Sequence, residues 1–148
     1  MIAGIIRSIS AATLLALVLM MGEGCGPTFQ WEGYWRGNRN LPAGSDPVIS
    51  RTLGDVKLYM DPNNQFRLVK EGIPMTGSVR FEDAKAYLKI ETRLNTPMDK
   101  EPPEVQAANK EIVLTPQQDG TISFVDPGGF DAEPVILKRQ AKQPSSGS

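Results

Sequence analysis

From residue 31 onward the chain alternates apolar and polar residues with period two, and clusters of turn-forming residues interrupt the alternation at short intervals. In DVKLYM, Val56, Leu58 and Met60 share one face, while Lys57 and Tyr59 share the other. FRLVK brings Phe66 and Leu68 together, TGSVRF does the same for Val79 and Phe81, and AYLKIET for Leu88 and Ile90, with Tyr87, Lys89 and Glu91 opposite. Such alternation marks strands with one face buried and one face wet, and it is incompatible with an amphipathic helix, whose apolar stripe repeats every 3.6 residues. WEGYWRG (31–37), EIVLTP, TISFVD and PVILKR (134–139) complete a set of about eight strands of ordinary length. DPNNQ (61–65), EGIP (71–74), EDAK and QQDG supply the corners, and the Asp119-Gly120 pair suits the positive φ angles of a tight hairpin.

The strands follow one another without helical crossovers, so the predicted class is all-β and the predicted sheet antiparallel. Twelve prolines and fourteen glycines in 148 residues agree with a turn-rich β protein rather than a helical bundle. Eight such strands can close into a small up-and-down barrel, which removes exposed edges; an open two-sheet sandwich is the alternative. A barrel of this size is either filled by side chains or holds one small ligand. Leu58, Met60, Phe66, Phe81, Leu88 and Phe124 are bulky enough to fill it if all six point inward. Two insertions break the meander. GSDPVISRTLG has an N-cap at Ser45 or Asp46, an early proline and a stop at Gly54, which predicts a short helix, and PEVQAAN within the polar segment 95–110 predicts one or two helical turns. The body is one domain, residues 31–139, with a polar tail at 140–148.

The first 24 residues have the layout of an export signal: one charge at Arg7, about 13 mainly apolar residues from Ile9 to Met21, then small residues. The apolar run is short for a bilayer span of about 20 residues. Residues 25–30 read as a tether. Gly24-Cys25, directly after the apolar run, resembles the processing site of a bacterial lipoprotein signal. That resemblance implies a diacylglycerol on the Cys25 thiol, further acylation such as palmitate, and Cys25 as the mature N-terminus. Gly26, rather than Asp, implies sorting to the outer membrane. Gly22 and Gly24 also satisfy ordinary signal cleavage, which leaves Cys25 a free thiol, and a buried core helix or a membrane anchor is the remaining reading of the segment. A single Cys in an exported chain has no internal disulfide partner, and lipidation accounts for it.

Within the body, Gly33-Tyr34-Trp35 resembles the G-x-W of the first strand of lipocalins and their calycin relatives. There the Trp plugs one end of the barrel and an Arg of the last strand packs across it. The resemblance implies that Trp35 and Arg139 form such a barrel-closing pair, and it implies a calycin-like barrel.

Few chemistries remain open. The chain has no histidine, which removes the commonest general base and transition-metal ligand, and a net charge of −1 with interspersed signs argues against nucleic acid. Cys25 has no His partner, no phosphate loop or dinucleotide fingerprint occurs, and the carboxylates of MDKEPPE sit in a segment that sets no fixed separation. DPNNQ and DPGGFD carry oxygen ligands of the kind calcium takes, but they are turn formers and lack the twelve-residue EF-hand frame. The chain is therefore read as a non-enzyme without metal or cofactor. The leading expectation is a lipid-anchored cell-envelope protein with a structural or protein-interaction role, on the outer membrane or the periplasmic face of a membrane. The alternative is a barrel mouth that binds or transports a small apolar ligand. An interior without a lumen favours the first.

Overall fold

The computed structural model describes residues 28–39, 41, 44, 46–126 and 133–141. Nine strands, two α-helices and one 3-10 turn follow in order among these residues: β1 (Gly33–Asn38), α1 (Pro47–Gly54), β2 (Asp55–Met60), β3 (Gln65–Lys70), β4 (Ile73–Glu82), β5 (Lys85–Arg93), the two-residue β6 (Thr96–Pro97), the 3-10 turn (Met98–Lys100), α2 (Pro103–Ala108), β7 (Ile112–Pro116), β8 (Ile122–Val125) and β9 (Val135–Gln140). Each of the eight longer strands pairs antiparallel with two neighbours, and β9 returns to pair with β1. The result is a closed eight-strand barrel rather than an open sandwich. β6 only prolongs the β5 side of a hairpin, at Thr92 and Arg93.

Alternation decides what fills the barrel. Val56, Leu58 and Met60 point in from β2, Phe66 and Leu68 from β3, Leu88 and Ile90 from β5, and Ile122 and Phe124 from β8, all in one core cluster with Trp35. Leu58, Leu68, Leu88, Leu114, Phe124 and Leu137 have 0% of their surface accessible, so no water-sized space touches them. Close strand approach also needs small residues. Gly77 lies where β4 shifts register against β5, and a Cβ there would run into the Lys89 carbonyl oxygen. A bulge at a glycine bends the strand and helps the sheet to curl shut.

Several corners differ in detail from the sequence expectation. The first strand begins at Gly33 rather than Trp31, because Gly33 has a φ of 118° and the preceding carbonyls bond elsewhere. The turn after β3 is only Glu71-Gly72, both at positive φ, so Ile73 and Pro74 belong to β4. In the β7–β8 hairpin Gly120 alone has a positive φ, and Gln117 and Thr121 close a three-residue loop by the Gln117 N–H to Thr121 carbonyl bond of 2.8 Å. This is a type I turn followed by a left-handed glycine, not a two-residue turn. β9 runs to Gln140, which pairs with Tyr34. Phe81 has the inward register but sits at the barrel rim, because the ten-residue β4 runs past the start of β3, whose pairing with it ends at Gln65–Ser78; it is 44% exposed.

Both helices form where expected. The Asp46 carboxylate accepts from the Val48 and Ile49 N–H groups at 2.8 and 3.3 Å, with Pro47 in the first turn. In DPNNQ the Asp61 carboxylate accepts from the Asn63 and Gln65 N–H groups at 2.8 and 3.0 Å, so it is occupied in shaping the turn. DPGGFD falls largely outside the described residues.

Candidate functional site

The two ends of the barrel differ in chemistry. At the end where β1 begins, Trp35 and Arg139 are direct register partners across the β1–β9 pair. The Arg139 guanidinium carbon stands 4.5 Å from the Trp35 ring centroid. Its Nη1 donates to the Glu32 carbonyl at 2.6 Å and its Nη2 to the Gln30 carbonyl. The indole Nε1 donates to the Trp31 carbonyl at 2.9 Å. Phe29 stacks on Trp35 with centroids 5.8 Å apart, meets Trp31 edge-on at 4.7 Å, and Trp31 in turn leans on Phe81 at 5.7 Å. Residues 28–30, expected to be tether, are therefore packed on the barrel end. Around them lies a half-open cleft of about 820 Å³, with Met60 and Val79 beneath and Phe29, Trp31, Phe81 and Arg139 among its walls.

The opposite end is closed by charge. Arg39, Lys70 and Asp126 each occupy the inward register one step past the apolar core of their strands, and their side chains are only 5%, 4% and 4% exposed. The Asp126 carboxylate accepts from the Arg39 Nη2 at 2.8 Å and the Lys70 Nζ at 2.6 Å, and Arg39 Nη1 reaches Glu71 at 3.0 Å. Two cations thus meet two carboxylates. Among charges this deeply withdrawn from water, the pairing is what makes burial tolerable. The sequence reading did not pick out this cluster. Extending the alternation one position further along β1, β3 and β8 would have exposed it, since Trp35/Gly37/Arg39, Phe66/Leu68/Lys70 and Ile122/Phe124/Asp126 each share a parity.

Among the described residues neither end brings a nucleophile and a base together. Among the described residues, no group of three Asp, Glu, Cys or His side chains is placed to hold a metal ion, and no helix is long and apolar enough to cross a membrane. Cys25, the export segment 1–24 and most of the tail lie outside the described residues. Compared with protein-family models, with curated proteins and with solved structures, the chain matches none.

Proposed function

We propose that this chain is an exported lipoprotein of the cell envelope, held on a membrane by acyl chains at Cys25, whose barrel serves a structural or protein-interaction role. The observation that carries the choice of role is the solid interior: side chains with no accessible surface run through the barrel, so there is no lumen among them for a carried ligand. The signal-like residues 1–24 and the lone Cys25 support the anchor. The Trp35–Arg139 contact across the closing strands supports a calycin-like relationship, since that is the arrangement the G-x-W resemblance implies.

Two acyl chains hold a protein far more firmly than one, because each buried CH₂ contributes about 0.8 kcal/mol. Intact-mass measurement on the protein from its native membranes tests the anchor. The expected species begins at Cys25 and carries acyl chains, and Cys25→Ala should move the protein off the membrane while the barrel stays folded. An intact Met1, or a soluble chain with a free thiol, would overturn the reading. Native mass spectrometry tests the role: a stoichiometric apolar ligand retained by the folded barrel would shift the choice to a carrier.

A further inference from the structure

We infer that the Trp31 end of the barrel docks on the lipid bilayer, its aromatic rim lying in the interface, with the charge-closed end directed away. The inference rests on the lipid-anchor reading and adds an orientation and a second membrane contact to it. Three steps of chain separate Cys25 from Thr28, a reach of at most about 11 Å. Since Phe29 is already packed on the barrel end, an acylated Cys25 leaves no slack for that end to stand off the headgroups, which are several ångströms deep on each side of the hydrocarbon.

What the short leash presents to the membrane has interfacial character. Phe29, Trp31 and Phe81 form one chain of ring contacts, and Phe81 is 44% exposed although nothing in the barrel requires an aromatic there. Trp and other aromatics favour the headgroup level, where an apolar ring and a polar edge are both satisfied. The turns at this end, 61–64, 83–84 and 117–121, are short, whereas both helices lie in the connections at the other end. The surrounding charges, Glu32, Asp61, Glu82, Asp83 and Asp119 against Arg80, Lys85, Lys138 and Arg139, are of both signs, so the surface has no basic excess to draw it to anionic lipid.

Trp31 and Trp35 are the only tryptophans, and only Trp31 belongs to the rim, which gives a direct test. The native acylated protein is placed in phosphatidylcholine vesicles whose chains carry bromine near the headgroup end, and its emission is compared with that in unbrominated vesicles. The expected result is a loss of emission in brominated vesicles that Trp31→Phe largely removes and Phe81→Trp enlarges. Replacing part of the phosphatidylcholine by phosphatidylglycerol should leave it unchanged. Intact mass, measured on the same sample, separates the two possible failures. An acylated chain whose Trp31 is unquenched overturns the docking alone; an unacylated chain overturns the anchor and the docking with it.

Discussion

Trp35 and Arg139 face one another across the pair of strands that closes the barrel, the guanidinium 4.5 Å from the indole centroid and tied to the carbonyls of Gln30 and Glu32. One side chain thus fastens the N-terminal segment, the first strand and the last strand together. Trp35 is fully buried, so Trp35→Ala should cost about 3–5 kcal/mol, enough to unfold many domains of this size. Arg139 is exposed, and a guanidinium on an indole in that setting is worth about 0.5–1 kcal/mol, with some packing by its stem in addition. Arg139→Ala should therefore cost less. In urea denaturation the double variant should lose less than the sum of the two; additivity would mean that the pair is a contact without coupling.

At the other end, Asp126 accepts from both Arg39 and Lys70. Asp126→Ala leaves those two buried cations facing the single carboxylate of Glu71, and removing one partner of a buried pair typically costs about 3–5 kcal/mol. Lys70→Met keeps the Arg39–Asp126 and Arg39–Glu71 bonds, so both carboxylates stay paired, and replaces the ammonium by an apolar chain of similar length. It should cost clearly less. Thermal and denaturant unfolding of the two variants decides this, and equal losses would show that leaving the buried Lys70 without its carboxylate is not what makes Asp126→Ala costly.

The difference between these two ends explains how much of the molecule was legible in its sequence. Strand order and barrel closure followed from period-two alternation, because in a meander each strand pairs with its predecessor and only the last pairing is a choice. Phe81 was misplaced because parity sets a face but not a depth: at the rim, past the last residue that β3 pairs with β4, the inward direction opens to solvent. Arg39, Lys70 and Asp126 escaped notice for the converse reason. A charged residue at a strand end reads as the start of a loop, and only the closed barrel shows three of them meeting. Residues 28–30 carry no period at all; what packs them is Arg139, more than a hundred positions away.

Asp55 lies between Arg36 and Lys57, with oxygens 2.8 and 3.2 Å from their nitrogens. Partial burial pushes its carboxyl up, but hydrogen bonds from Arg36 and Lys57 and their charges outweigh this and hold it below the ordinary carboxylate value. A depressed carboxyl contributes stability that is fully present above its unfolded value of about 3.9 and is lost as pH falls through the lower folded one. Arg36 is half exposed, so screening limits the contribution to about 1 kcal/mol or less. Asp55→Asn should lower stability at pH 7 by that amount in low salt and very little at pH 2. The difference should shrink in 1 M salt, where the Debye length is about 3 Å. Equal loss at both pH values would point to lost packing instead.

Tyr34 points outward from β1 yet is only 8% exposed, and among the described residues its hydroxyl has no hydrogen-bond partner. An unpaired buried hydroxyl carries a desolvation penalty of about 1–3 kcal/mol. Tyr34→Phe keeps the ring and removes the penalty, so the variant should be at least as stable as the parent, up to about 1 kcal/mol more. A clear loss in denaturant midpoint would reveal a partner for the hydroxyl.

The corner between β4 and β5 holds a second improvable position. Glu82 and Lys85 are register partners, and the two residues between them, Asp83 and Ala84, have φ of 49° and 57°. Two consecutive left-handed residues define the hairpin turn whose twist matches that of the strands, and its preferred pair is Asp-Gly or Asn-Gly. Asp tolerates this region, but Ala places a Cβ against the following carbonyl at a cost of about 1–2 kcal/mol. Glycine relieves that strain and gives back roughly half of it as extra freedom in the unfolded chain. Ala84→Gly should therefore stabilise the barrel by about 0.5–1 kcal/mol. Because β4 and β5 share the longest ladder in the sheet, the gain should appear as slower amide exchange along both strands. A neutral or destabilising outcome would mean that this hairpin does not adopt the left-handed turn.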